Sequence, residues 1–235
     1  MSTTAASSIL DTIGGTPLVE LRRIVPRGSA RVVVKLESQN PTGSMKDRMA
    51  RSMIQRAEAD GRLAPGREVV EYTGGSTGTS LAFVCAATGH PLQIVTSDAF
   101  SLDKRNHMKA LGATLTLEAS VNGTITPDLF VRMQAATERI IAERGAYWTQ
   151  QFANRDQADG YHSLADEAWE QSGGRIDAFV HSVGTCGSLR GTSTRLRVHN
   201  PRVQVVAVEP STSAVMSGGQ PGPHRIEGMG TGRLV

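Results

Sequence analysis

The sequence predicts an α/β protein built as two three-layer domains with mainly parallel sheets. Three observations carry this. Short β-branched runs alternate with helix-length segments along most of the 235 residues. The turns joining them are short, which is how a parallel sheet covered by helices on both faces reads in sequence. The pattern pauses after Tyr147–Trp148, crosses a polar stretch at 149–156, and restarts.

Taken in order, "RVVVKLE" (31–37) reads as a strand. Residues 47–60 place Met49, Ala50, Met53, Ile54 and Ala57 on one helical stripe. "EVVEY" (68–72) is a strand, 77–90 a buried helix ending near Gly89, and "LQIVTS" (92–97) a strand. Residues 101–112 are a helix bracketed by a serine N-cap and a glycine stop. "ATLTLE" (113–118) is a strand, and 127–144 a long helix with Pro127 in its first turn. After the crossing come helix 156–172, strand 176–183, helix 187–199 and strand 203–210. The first ten residues are expected to fray. From residue 217 the chain is rich in Gly and Pro, and it stops where a complete α/β domain would be expected to continue.

Composition bounds the function. Apolar residues are 39%, charged 20% and aromatic 4%, which describes a globular protein with an aliphatic core. The net charge of +3 is a small excess of 25 basic over 22 acidic residues, with no run of five like charges, so nothing marks a nucleic-acid surface. The N-terminus has neither the basic nor the apolar region of a signal peptide, and no apolar run could span a bilayer. Cys85 and Cys186 read as buried free thiols, for which a reduced cytoplasmic compartment is the easier fit. The six histidines show no ligand spacing, so no metal is expected.

Three stretches bear chemistry. "TGGSTG" (73–78) and "GTCGS" (184–188) each follow a strand and open a helix, where free backbone amides favour anions. Such turns also serve as plain connections. "NPTGSMKDR" (40–48) puts Lys46 at a helix start, although a lysine suits the opposite end of the dipole. Either Lys46 is an ordinary solvated side chain, or the site wants an amine that loses its proton readily. The spacing of Gly184, Gly187 and Gly191 is wrong for a dinucleotide fingerprint, and Met45 stands where a phosphate-binding Walker loop needs glycine. A Schiff-base-forming lysine beside two anion cradles fits pyridoxal phosphate instead.

With "IGGTPLVEL" (13–21), "MKALGA" (108–113), "QQF" (150–152), "VVAVEP" (205–210) and "SGGQPGPHRIEGMG" (217–230), these motifs resemble cysteine synthase, also called O-acetylserine sulfhydrylase, among the fold-type II pyridoxal-phosphate enzymes. The resemblance runs in order over nearly the whole chain. It implies that Lys46 carries the cofactor and moves the substrate's α-proton. It implies that Thr73, Gly74, Gly75, Ser76 and Thr77, with Gln151, hold the substrate carboxylate, although Gln151 could equally cap a loop. It places the cofactor phosphate at Gly184, Thr185, Cys186, Gly187 and Ser188, and Gly228 at the mouth of the cleft. A smaller domain would cover 44–150, and a larger cofactor-binding one 11–43 plus 151–235, with the active site in the cleft between them. The implied reaction is β-replacement on an O-activated L-serine by sulfide or a related thiol. Alternatives are a cystathionine β-synthase-like or β-eliminating relative, or a non-catalytic peptide-binding homologue. Implied partners are the amino acid, the thiol, a second copy in a homodimer, and the C-terminal peptide of a serine acetyltransferase.

Three departures stand out. Ser76 replaces the family's Asn, which bonds the cofactor's ring oxygen, and Ser76 also counts as a cofactor contact here. Cys186 replaces a glycine, which is costly if that position needs positive φ. The family's hydroxyl partner for the pyridine nitrogen falls beyond residue 235.

Overall fold

A computed structural model describes residues 5–224 and 226–230. Its central sheet has four parallel strands in the order β5-β4-β3-β6: β3 (Val69–Tyr72), β4 (Leu92–Ser97), β5 (Thr114–Glu118) and β6 (Tyr147–Trp148). Alternate residues of a strand face opposite sides of its sheet. Val69 and Ile94 accordingly pack with α1 (Lys46–Ala59), α2 (Ser76–Thr88) and α3 (Leu102–Ala110) through Met49, Leu81 and Met108. Val70, Tyr72 and Val95 face the other way, onto Leu129 and Met133 of α4 (Pro127–Arg144). That makes three layers, and it explains why β3 and β4 are buried along their whole length.

A second parallel pair, β7 (Ala178–Ser182) and β8 (Gln204–Val208), runs in register from Ala178↔Gln204 to Ser182↔Val208. Phe179 and Val205 pack toward α6 (His162–Gln171) and α7 (Gly187–His199), around Ala165 and Leu196. The opposite face, with Val180, Val206 and Val208, is exposed among the described residues.

Three short elements depart from the sequence reading. β1 (Leu18–Glu20) pairs antiparallel with β2 (Val33–Lys35), and β6 adds two residues to the edge of β3. Neither β1 nor β6 has enough length to show periodicity; each exists because a distant strand supplies its partner. The helix expected over 156–172 is broken into α5 (Asp156–Asp159) and α6. Gly160 sits so close to α1 that an added Cβ would lie 2.7 Å from the Arg48 carbonyl oxygen. The N-terminus does not simply fray. Ile9–Thr12 form a 3₁₀ turn closed by a capping box between Ser8 and Asp11, with Leu10 in the core. Residues 1–4 lie outside the described residues.

Candidate active site

Lys46 is the first residue of α1 and is partly buried. No hydrogen bond or ion pair to its Nζ occurs among the described residues, and burial pushes the amine down to about 8. The positive end of the α1 dipole acts in the same direction. Of the two readings open in sequence, the lowered pKa favours an amine that loses its proton readily. Thr42, in the turn before Lys46, bonds the Asp47 carboxylate through its amide (2.8 Å) and its hydroxyl. The same hydroxyl lies 3.2 Å from Ser80 Oγ of α2, so the starts of α1 and α2 are tied side by side.

The turn 73–77 leaves the carboxyl end of β3. Thr73 and Thr77 are buried, Gly75 is the N-cap of α2, and the Gly75 amide donates to Thr73 Oγ1 (3.2 Å). The amides of Ser76 and Thr77 belong to the first turn of a helix, where no intrahelical acceptor exists. Gly74 is pressed against the Phe100 ring, which leaves no room for a side chain there. Gln151 comes from beyond β6. It is buried, and its Nε2 donates to the Tyr72 carbonyl (3.0 Å), which brings it beside this turn.

The turn 184–188 leaves the carboxyl end of β7. An added Cβ at Gly184 would lie 2.5 Å from the Gly228 carbonyl oxygen, and one at Gly187 would strike the Gln157 side-chain amide. The 228–230 segment is anchored above this turn by the Gly230 amide donating to the Val183 carbonyl (2.8 Å). Gly228 is thereby brought onto the phosphate-cradle candidate. Cys186, the N-cap of α7, has φ +61. The left-handed backbone considered from the sequence is therefore present, in a residue with a Cβ. Burial pushes its thiol pKa up, which disfavours a thiolate nucleophile.

His181, near the end of β7, lies 2.8 Å from Ser188 Oγ and stacks on Phe179. Burial, then the Lys46 charge, push its imidazole down to about 4, so it is neutral at neutral pH. Local sequence does not single out His181 beyond its place near a strand end. Its position seven residues before Ser188, across a strand–turn–helix, was the available signal. Glu71 was also missed, although a carboxylate inside "EVVEY" is an anomaly in a buried strand.

These features define an α/β enzyme that binds an anionic carbonyl cofactor at the carboxyl ends of its strands. A family model for pyridoxal-phosphate dependent enzymes matches residues 9–235. A cysteine synthase of Staphylococcus aureus is 40% identical over 237 residues, covering 99% of this chain and 74% of its own. The crystal structure of a cysteine synthase from Entamoeba histolytica superposes with a TM-score of 0.88 at 37% identity, covering 98% of this chain and 68% of that one. That of an O-ureido-L-serine synthase gives 0.87 at 38% identity, covering 96% and 70%. The chain belongs to the pyridoxal-phosphate dependent enzyme family, and its cofactor is pyridoxal phosphate.

The residues present fit that group. They offer a lysine amine without a partner among the described residues, a backbone cradle too tight for side chains at Gly184 and Gly187, and a helix N-terminus behind it. No cluster of His, Cys, Asp or Glu able to hold a metal occurs among the described residues. No helix among them is long and apolar enough to cross a membrane.

Proposed function

We propose that this enzyme catalyses β-replacement on an O-activated L-serine such as O-acetyl-L-serine, with sulfide or a related thiol as nucleophile. The product is L-cysteine or an S-substituted cysteine. The observation that carries the reading is the partner-free Lys46 amine, held near pKa 8, in a fold whose two glycine turns each end at a helix N-terminus.

When bound, pyridoxal phosphate supplies a carbonyl carbon for amines and a conjugated ring that accepts the electron pair released at the substrate's α-carbon. Lys46 Nζ would hold that carbonyl carbon. The same Nζ, with a pKa close to the working pH, is suited as the base that takes the substrate's α-proton. Gly184, Thr185, Cys186, Gly187 and Ser188 hold the phosphate, mostly through backbone amides at the start of α7. Thr73, Gly74, Gly75, Ser76, Thr77 and Gln151 hold the substrate carboxylate, and Gly228 borders the cleft. The Cβ–O bond breaks as the acid leaves, and a Cβ–S bond forms with the thiol. Closing the loop 73–77 over the carboxylate excludes water in between.

The two sheets support a division into a 44–150 domain and a second one from 11–43 plus 151–235. A homodimer, and docking of a serine acetyltransferase C-terminal peptide at the carboxylate turn, remain part of the proposal.

Two measurements test it. Borohydride reduction of the loaded protein should fix the cofactor on the peptide containing Lys46; label on another lysine would overturn the assignment. Turnover of O-acetyl-L-serine with sulfide should exceed turnover with thiosulfate. The second reading, another nucleophile, rests on Ser76, whose hydroxyl reaches less far than the amide it replaces. Ser76→Asn should then change the sulfide-to-thiosulfate ratio of kcat/KM more than cofactor affinity. An unchanged ratio with lost cofactor would make Ser76 part of the cofactor site alone.

A further inference from the structure

Glu71 takes no part in the chemistry above, yet it is fully buried beside the carboxylate turn. Its carboxylate accepts four hydrogen bonds. Oε1 takes the Tyr72 amide (2.9 Å) and Trp148 Nε1 (3.1 Å). Oε2 takes Thr149 Oγ1 (2.7 Å) and the Gln151 amide (2.9 Å). Three of these donors come from 148–151, where the chain leaves the sheet. Gln150 turns it away with φ +54. The Thr149 amide still reaches the Val70 carbonyl (3.3 Å), but beyond that turn the Gln151 amide has left the ladder. Glu71 extends the pairing with a side chain where the backbone can no longer do so.

The same arrangement fixes Gln151 twice. Its amide hangs on Glu71 and its side chain on the carbonyl of Tyr72, the next residue of β3. One hydrogen of Nε2 is thus used to orient the group, and the other is free for a ligand. Thr73 follows immediately. A negative charge close to an anion site repels the anion unless directed donors absorb it. Burial pushes the Glu71 carboxyl above its ordinary range while its four donors favour the charged form, so the group serves geometry rather than attraction.

We propose that Glu71 is a positioning residue of the substrate-carboxylate site: it sets Gln151 and the 73–77 turn against each other so that both engage one carboxylate. The inference rests on the carboxylate reading given above.

The test uses the cofactor-loaded enzyme and two probes, L-serine and L-serine methyl ester, with dissociation constants read from the visible absorbance of the bound cofactor. The ratio of the ester's dissociation constant to that of L-serine isolates the carboxylate grip. Glu71→Gln keeps the shape but turns an amide donor onto two of the four donors. It should lower that ratio about tenfold, the scale of a displaced hydrogen bond to a charged group. KM for O-acetyl-L-serine should rise by a similar factor, while kcat and cofactor affinity change by less than about threefold. Thr149→Val, which removes one donor and keeps Glu71, should move the ratio the same way by about threefold. Gln151→Ala is the control. If it lowers the ratio and the Glu71 and Thr149 variants do not, the positioning role is overturned, even where those variants melt earlier. If Gln151→Ala leaves the ratio unchanged, the carboxylate reading itself fails and the proposal falls with it. Should Glu71→Gln not fold, Thr149→Val decides.

Discussion

Lys46 was legible as an anomaly in the sequence because the residue type contradicted its place on the helix. Its amine titrates near 8 in the fold against 10.5 for an ordinary lysine. A depressed lysine pKa means that the unfolded chain binds more protons between those values. Lys46 therefore makes the cofactor-free protein more stable as pH rises from about 8 to 10.5. Denaturant titrations across that range should show the rise, and Lys46→Met should flatten it. The rate of aldehyde loading onto the cofactor-free protein should likewise reach half its plateau near pH 8. A midpoint at the ordinary lysine value would refute the desolvated site. Cys186 was legible only as a departure from a family glycine, and the backbone shows why glycine suits that position. At φ +61 a Cβ is strained. Cys186→Gly should stabilise the protein by about 1 kcal/mol, the steric cost of left-handed backbone offset in part by glycine's freedom when unfolded. Cofactor affinity should hold or improve, since the amide is kept; loss of cofactor would show that the thiol itself matters. What could not be read at this scale was pairing. Nothing local to His181 or Glu71 says that segments later in the chain return a hydroxyl to the one and three donors to the other.

At the scale of elements, long periodic segments were read nearly to their ends, because periodicity reports burial and burial fixes the element. α7 and β4 match their sequence ranges, and α4 runs over 127–144 as its pattern indicates. The elements that escaped are those whose existence depends on a partner far away: β1 on β2, β6 on β3, and the break between α5 and α6 on the backbone of α1. Gly160 is the point of that last contact. Glycine in a helix pattern usually weakens it slightly, but here the side chain is excluded by the Arg48 carbonyl (2.7 Å) and by the Ser52 Cβ (2.9 Å). Ser52 Oγ also donates to the Asp156 carbonyl (2.7 Å), so α1 and α5 are held at one close approach. Gly160→Ala must push them apart and should cost about 2 kcal/mol in denaturant unfolding, in the range of core overpacking. Cofactor loading should drop in parallel, because α1 carries Lys46 and α5 carries Gln157 behind Gly187. A neutral substitution would show that the two helices slide freely there.

Across the whole molecule, one ion network joins segments that the sequence keeps far apart. Arg48, on the helix that begins at Lys46, forks onto two carboxylates. Its Nε and Nη2 reach Glu37 (2.8 Å each), and its Nη1 and Nη2 reach Glu167 of α6 (2.7 and 2.8 Å). Lys35 of β2 also meets Glu167 (2.7 Å), and the Thr16 hydroxyl donates to Glu37 (2.6 Å). The guanidinium is almost fully enclosed, with 2% of its side chain exposed. Removing one member of such a cluster leaves the others charged, buried and unpaired, which costs far more than the intact network contributes. Arg48→Ala should therefore lose about 3–5 kcal/mol, as breaking a buried pair does. The pH dependence follows from the same contacts. Despite the opposing effect of burial, Arg48 and then Lys35 hold Glu167 down to about 2, and Arg48 holds Glu37 below the usual carboxylate range. Depressed carboxylate pKa values give stability that is fully present above the unfolded value of 4.5 and is lost as pH falls toward 2. Wild-type protein should lose stability steeply over that interval. Glu167→Gln, which cannot titrate, should start less stable at pH 7 and show a shallower acid slope. Matching slopes in the two proteins would mean that the network is solvated and that the joint between these segments is held by packing alone.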